Sequence, residues 1–312
     1  MRVVFLGTPI FAVPSLEALV SAQHEVAAVF TQPDRPKGRG NQITESPVKA
    51  AALKLGLPVH QPERIRRPEV IDQLKGLAAA DLMVVVGYGQ IIPQSIIDLP
   101  RYGILNVHGS LLPKYRGAAP IQWAIANGDT ETGVTIMQID AGLDTGNMLL
   151  RERIGIGEDE TAPELATRMA PLGARLLLEA VGEIVTGTVV PEKQNDQEAT
   201  YAPMLTKADG RIEWLRPATQ IYNRMRGFTP WPGAYTTFRG ETLHVARAKP
   251  AGTSALAPGT LQIENRRLFA GCGDDTRLEL LEVQPAGRKR MAAEAFLNGY
   301  QIGANEKLGE QS

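Results

Sequence analysis

The sequence predicts an α/β protein in two parts: a Rossmann-like N-terminal domain with a mostly parallel sheet, then a small C-terminal β-barrel of OB-like type. Two patterns carry that prediction. In the first half, short β-branched and apolar runs alternate with helical stretches of about ten residues, the rhythm of β-α-β units on an open parallel sheet. Past residue 206, short strand-like runs are separated by Gly-bearing turns, as in small barrels. At 312 residues the chain can bury two cores, and 43% hydrophobic with 21% charged residues fits an ordinary globular protein. The expected division is a catalytic domain over residues 1–187, a linker over 188–206 and the barrel over 207–312.

Residues 3–7, Val-Val-Phe-Leu-Gly, form an apolar run closed by glycine, the mark of a strand buried on both faces. A helix follows over 14–22, with Leu16, Leu19 and Val20 at helical spacing and Pro14 suited to its first turn. Strands over 25–31, 57–60 and 81–86 alternate with helices over 47–55 and 68–77. The apolar run 102–105 leads into Asn106 and His108. Beyond it come a helix over 119–127, a strand over 133–140, a Gly-rich turn over 141–146 and a returning strand over 148–156. The long helix over 161–185 contains Pro171, which predicts a kink or a break. Residues 188–205 are polar and Pro-bearing, as a linker is. A helix over 217–228 carries Arg224 and Arg226, with Arg216 just before it, and strands over 233–246, 259–267 and 276–283 complete the chain.

No apolar run approaches the ~20 residues of a membrane-spanning helix, and the first residues enter a strand without a cleavable signal pattern. A single cysteine, Cys272, excludes an intrachain disulfide and a cysteine-rich zinc site. A cytoplasmic protein that does not engage a membrane is expected. The net charge of -1 conceals an uneven split. Residues 207–312 hold 15 Lys and Arg against 11 Asp and Glu, whereas residues 1–206 hold 18 against 23. Such a split hints at a polyanionic partner for the basic half, although chance also supplies differences of this size. Arg266, Arg267, Arg277, Arg288, Lys289 and Arg290 give the barrel its basic cast.

Open parallel sheets bind ligands at the carboxyl ends of their strands. Those ends should be 7–9, 31–34, 87–90 and 106–108, all along one edge. The first turn, Gly-Thr-Pro-Ile-Phe-Ala, lacks the second and third glycines of a dinucleotide fingerprint, so a nicotinamide enzyme is disfavoured. Residues 33–42 bear three positive charges, two glycines and almost no apolar content. They read either as a mobile solvated loop or as a phosphate contact. Asn106 and His108, two apart on a strand, point to one side. An amide donor and an imidazole there can receive charge building on a carbonyl oxygen. Asp144 stands in the Gly-rich turn, where an aspartate is ordinarily a turn former.

The stretch from Asn106 to Pro120 resembles the active-site loop of the methionyl-tRNA formyltransferases, and the likeness runs over nearly the whole chain. Residues 142–146, Gly-Leu-Asp-Thr-Gly, resemble the turn that carries that family's catalytic aspartate. Asn147 stands where that family more often has an acidic residue. The resemblance implies Asn106, His108 and Asp144 as the catalytic group. It also implies Ser110, Leu111, Leu112, Pro113, Gly87, Tyr88, Gln90, Ile91 and Ile92 as contacts to 10-formyltetrahydrofolate, the formyl donor, with no metal required. The acceptor implied is methionyl initiator tRNA, met by Arg35, Lys37, Arg39 and Lys207, in a monomer. Residues 200–207 and 228–233 resemble the family's link and C-terminal motif. Because the catalytic group is shared with formyltransferases acting on sugar nucleotides or other small amines, that acceptor class stays open, as does a non-catalytic RNA-binding protein.

Overall fold

The alternating runs assemble into a seven-stranded sheet in the computed structural model, which describes residues 1–37, 42–77 and 80–309. Its elements in chain order are β1 (Arg2–Gly7), α1 (Val13–Ser21), β2 (Glu25–Phe30), β3 (Arg35–Lys37), β4 (Gln42–Thr44), α2 (Pro47–Lys54), β5 (Val59–His60), α3 (Pro68–Gly76) and β6 (Leu82–Val86). Then come α4 (Gln94–Ile97), β7 (Ile104–His108), α5 (Pro120–Ala126), β8 (Glu131–Gln138), β9 (Met148–Gly155) and α6 (Ala162–Thr186). The sheet order is β5-β2-β1-β6-β7-β8-β9. The first five strands are parallel, β8 is antiparallel to β7, and β9 is antiparallel to β8. Strand order reverses at β1, the place where doubly wound sheets open a crevice for ligands. Every residue of β6 and β7 is buried, which is why their sequences read as continuous apolar runs broken only by Asn106 and His108.

Two local expectations change. Residues 35–37 and 42–44 pair as antiparallel strands, Arg35 opposite Thr44 and Lys37 opposite Gln42, where a loop, solvated or in contact with phosphate, was expected. The helix over Pro171 is unbroken. Pro171 lies on its exposed face, where water can serve a carbonyl that loses its amide donor.

The remaining elements are α7 (Ala218–Gly227), β10 (Tyr235–Phe238), β11 (Glu241–Thr253), β12 (Leu261–Glu264), β13 (Arg267–Gly271), β14 (Thr276–Pro285), β15 (Met291–Ala292) and α8 (Ala293–Gly299). They form an antiparallel sheet ordered β10-β11-β14-β13-β12, with β15 on β14. The single strand expected over 233–246 is a hairpin, because Arg239 and Gly240 both take positive φ, 50° and 76°, as a tight two-residue turn demands. Asn265 and Arg266 do the same between β12 and β13, at 49° and 63°. Register shifts let the 13-residue β11 bend as it passes along β14. The strand ladder leaves β10 and β12 as edges, and residues 306–309 bridge them. Leu308 pairs with Phe238, Lys307 pairs with Thr260, and Gly309 donates to the Thr237 carbonyl at 2.9 Å. Among the described residues the strand ladder itself does not close into a barrel, and only single bridges span its two edges. Its core holds Trp214, Phe238, Phe296 and Leu308, together with Cys272, whose thiol burial pushes up to about 12.

Contacts divide the chain into two compact units, each discontinuous in sequence. One is Met1–Ile121, Glu131–Gly155 and Glu164–Met204; the other is Gln122–Thr130, Ile156–Pro163 and Leu205–Ser312. In the second unit Trp123 sits edge-on to Phe228 with centroids 5.2 Å apart. Arg226, 7% exposed, donates to the carbonyls of Gly157 and Glu160 at 2.9 and 3.0 Å. Among the described residues no helix is long and apolar enough to cross a membrane.

Leu308→Ala should destabilise the second unit by about 2–5 kcal/mol, the usual cost of emptying a leucine site. Urea unfolding followed by tryptophan fluorescence measures it, and wild-type stability would show that this residue does not hold the seam.

Candidate active site

Alternation along β7 puts Asn106 and His108 on one face and Val107 on the other, against α6. A Cβ on Gly173 of α6 would come within 2.7 Å of Val107, so helix and strand approach as closely as glycine allows. Both polar side chains are buried, Asn106 at 9% and His108 at 5% exposure. Buried polar groups need partners, and here they come from two loops.

The first is the turn between β8 and β9. It leaves β8 beside the start of β7, where the Ile139 amide meets the Ile104 carbonyl, and folds back over the strand towards His108. The turn-forming aspartate is Asp140, whose Oδ1 accepts from the Gly142 amide at 3.0 Å and the Thr145 hydroxyl at 2.7 Å. Asp144 itself has φ 52° and turns its carboxylate inward. Oδ2 accepts from the Gly117 amide at 2.8 Å, and Oδ1 lies 3.4 Å from Asn106 Nδ2. Gly146 is required by space, since a Cβ there would stand 1.8 Å from the Gln138 carbonyl oxygen.

The second loop follows His108. The Ser110 hydroxyl donates to the Lys114 carbonyl, and the Thr135 hydroxyl donates to the Ser110 carbonyl at 2.7 Å while accepting from Leu112 N at 3.1 Å. Ser110 is fully buried in these contacts. Tyr115 takes positive φ, 62°, and its carbonyl lies 2.9 Å from His108 Nε2. A carbonyl can only accept, so Nε2 carries the proton and Nδ1 is the nitrogen facing Asp144. The Nδ1 to Oδ2 distance is 3.8 Å, too long for a direct hydrogen bond.

Residues expected to form a linker complete the site. Thr200 Oγ1 accepts from the Tyr115 amide at 2.9 Å, and the Arg116 and Ala202 backbones pair at 2.8 Å. Gln194 Nε2 donates to the carbonyls of Asp144 and Gly146, both at 2.8 Å. None of these has a local signature in the sequence, since each contact joins stretches far apart along the chain.

The expected donor contacts fall in different environments. Gly87 is exposed and Ile91 is 92% exposed, with Ile92 half-buried. Gln90 spends its side chain on Ile65 N, at 2.7 Å, and on the Pro62 and Glu63 carbonyls. Tyr88 points into the core, its hydroxyl buried and burial raising its ionisation well above the ordinary range. Its carbonyl accepts from Gln32 Nε2 at 2.9 Å and from the Thr8 hydroxyl at 3.3 Å, which stitches the ends of β1, β2 and β6 together. Leu112 is buried, while Leu111 and Pro113 are partly exposed. A cleft of about 230 Å³ runs along the Asp144 turn, lined by Gly103, Ile104, Gln138, Ile139, Asp140, Gly146 and Asn147.

Of the expected nucleic-acid contacts, Arg35 is exposed at the start of β3, Lys37 lies in β3, and Lys207 is exposed on a 3-10 turn of the second unit. Arg39 lies outside the described residues. The base of the β3–β4 pair is pinned where it meets the sheet. Lys49 pairs with Asp34, Gln61 Nε2 donates to Asp34 Oδ1 at 2.7 Å, and the Thr31 and Ser46 hydroxyls meet at 2.7 Å. Those partners hold the Asp34 carboxyl below its usual range. In the barrel much of the basic cast is neutralised locally. Arg266 meets Glu294, Arg267 meets Glu279, Arg277 meets Glu264 and Arg290 meets Glu282.

Comparison with known proteins gives consistent matches. Residues 1–181 match the formyl transferase family model and residues 204–301 match the formyl transferase C-terminal domain. A methionyl-tRNA formyltransferase of Solibacter usitatus is 60% identical over 311 residues, 99% of each chain. One from Koribacter versatilis is 54% identical over 312 residues, the full length of both. Among solved structures, the sugar 3N-formyl transferase WlaRD superposes with a TM-score of 0.67 at 18% identity, covering 93% of this chain and 99% of its own. HypX from Aquifex aeolicus in complex with tetrahydrofolic acid gives 0.63 at 17% identity, covering 98% of this chain and 48% of its own. At such identities the structural likeness speaks for the fold.

The loop geometry makes one requirement testable. Gly117 has φ 120°, and a Cβ there would lie 2.7 Å from the Ala202 carbonyl oxygen. Gly117→Ala should therefore cost about 1–3 kcal/mol of stability, as strained backbone sites do. Chemical denaturation of the purified variant checks this, and an unchanged midpoint would contradict the close approach.

Proposed function

The chain belongs to the methionyl-tRNA formyltransferase family, and on that premise we propose that Asn106, His108 and Asp144 carry its reaction. The protein transfers a formyl group from 10-formyltetrahydrofolate to the α-amino group of methionyl initiator tRNA, in support of translation initiation. The observation that carries the assignment is the convergence of an amide, an imidazole and a carboxylate, from one strand and one distant turn, in a largely buried site. We read the enzyme as a monomer working in the cytoplasm.

The cleft beside the Asp144 turn fits part of the donor. Its volume of about 230 Å³ is below the ~300–1,000 Å³ that holds a whole drug-sized ligand. Ile104 and Ile139 offer apolar walls, while Gln138, Asp140 and Asn147 offer hydrogen-bonding edges, a mixture suited to a flat heteroaromatic ring. Ile91, exposed at the ends of the strands, and the partly exposed Leu111 and Pro113 would cover more of it. When bound, the donor supplies an activated formyl group.

The chain's own residues then have separable tasks. Asn106 has two amide N–H groups, and only one is turned to Asp144. The other can donate to a carbonyl oxygen as negative charge grows there. His108 keeps its Nε2 proton on the Tyr115 carbonyl, which leaves Nδ1 to take up or share a proton on the Asp144 side. The Asp144 carboxylate, oriented by Gly117 and Asn106, is placed to accept a proton from an attacking amine. Burial of the site limits water, the competing nucleophile. The acceptor's phosphates would meet Arg35, Lys37, Arg39 and Lys207.

Purified protein incubated with formyl donor should formylate methionyl initiator tRNA and leave methionyl elongator tRNA largely unmodified; equal action on a small amino sugar would defeat the acceptor assignment. Asn106→Ala should lower kcat by about 10²–10³-fold, the loss typical of a removed oxyanion donor. Rapid-quench assays measure it, and normal turnover would take Asn106 out of the catalytic group. Arg39→Ala should raise the KM for charged tRNA and leave donor binding near normal, as separate titrations would reveal.

A further inference from the structure

Gln194 lies in a stretch without regular secondary structure, yet it is only 4% exposed and both ends of its amide are used. Arg116 Nε donates to its Oε1 at 3.0 Å, and its Nε2 donates to the carbonyls of Asp144 and Gly146. An amide's two ends have nearly the same shape but opposite hydrogen-bonding character. A guanidinium can only donate, so Arg116 decides which end faces it and leaves the NH2 aimed at the two carbonyls. Arg116 is itself 3% exposed and held on several sides. Its Nη2 donates to Asp196 Oδ1 at 2.8 Å, its amide donates to the Thr200 carbonyl at 2.9 Å, and its carbonyl accepts from Ala202 at 2.8 Å.

We infer that Gln194, oriented by Arg116, is a positioning residue for Asp144. It grips the carbonyls on both sides of Thr145 and so keeps Asp144 at a φ of 52°, the conformation that aims its carboxylate at Gly117, Asn106 and His108. A left-handed backbone is disfavoured for a residue with a Cβ, so without the grip this turn would spread over other conformations. Mere attachment of the segment does not need Gln194. Glu192 already pairs with Met148 in both directions, at 2.8 and 2.9 Å, and Thr200 and Ala202 hold the other end. What Gln194 adds is a contact to the Asp144 turn itself.

The inference rests on Asp144 being a reacting group, so its test needs one readout outside turnover. Gln194→Ala, Gln194→Glu, Asp144→Asn and the Asp144→Asn/Gln194→Ala pair would be compared in the full-length chain. Gln194→Glu retains a partner for Arg116 but sets an oxygen against the two carbonyls. Both Gln194 variants should lose about 10- to 100-fold in kcat, as small misplacements of reacting groups do, with KM values within about twofold. Adding Gln194→Ala to Asp144→Asn should cost nothing further, because the two changes act through one carboxylate. In 15N-histidine-labelled protein, Gln194→Ala should shift the His108 ring signals in the direction that Asp144→Asn does. Losses that multiply in the double variant, or His108 signals unmoved by Gln194→Ala, would overturn the inference. If neither Gln194 variant folds by near-ultraviolet circular dichroism, Asp196→Asn, altering a side chain that is 74% exposed, takes their place. A kcat loss absent from the Asp144→Asn background supports the positioning role, and wild-type kcat overturns it. Failure of the functional reading would look different: the wild-type protein would not transfer formyl at all, whatever the His108 signals did.

Discussion

The hydrogen bond from the Gly117 amide to Asp144, 2.8 Å long, joins two loops directly that are otherwise linked through Gln194 and Arg116. The turn bearing Asp144 emerges next to Ile104, at the opposite end of β7 from His108, and must bend back across the face of the sheet. Nothing in the strand pairing compels that bend. It is secured from one side by the Gly117 amide and from the other by Gln194, while Asp140 ties the turn to itself. The geometry around His108 therefore depends on backbone donors and a buried side-chain amide as much as on the strand that carries it.

How far a sequence discloses such a site depends on the range of the interactions that build it. Period-two alternation suffices to put Asn106 and His108 on one face, and apolar runs suffice to order the parallel strands. The turn around Asp144 is legible as a turn, but its two aspartates have opposite roles, and only geometry distinguishes the local one from the inward one. Gln194, Thr200 and Gly117 act on partners 27 to 85 residues away. A polar stretch with such duties has the composition of a linker. The hairpins of the second unit escaped for another reason. Their turns, Arg239-Gly240 and Asn265-Arg266, adopt the twist of Asn-Gly without its sequence, so two strands read as one.

Charge shows the same limit. Arg224 and Arg226 count as basic residues on a helix, yet Arg224 lies over Phe228 with its guanidinium carbon 4.9 Å from the ring centre, and Arg226 is spent on the Gly157 and Glu160 carbonyls. Arg267 and Arg277 both lie over Phe269 while paired to carboxylates. The positive excess of residues 207–312 is thus partly internal furniture of the fold, and a formal count overstates what it shows to a polyanion.

The interleaved division of the chain limits what recombination could do with it. Arg226 and Phe228 belong to the second unit, but the carbonyls and the indole that satisfy them come from residues 156–163 and 122–130. A crossover at the stretch near residue 205 would part the Arg226 guanidinium from the Gly157 and Glu160 carbonyls and leave it the Asn223 side chain alone, a costly loss for a buried charge. The C-terminal part of the second unit is thus bound to its earlier segments, 122–130 and 156–163, by contacts that a cut at residue 205 would sever.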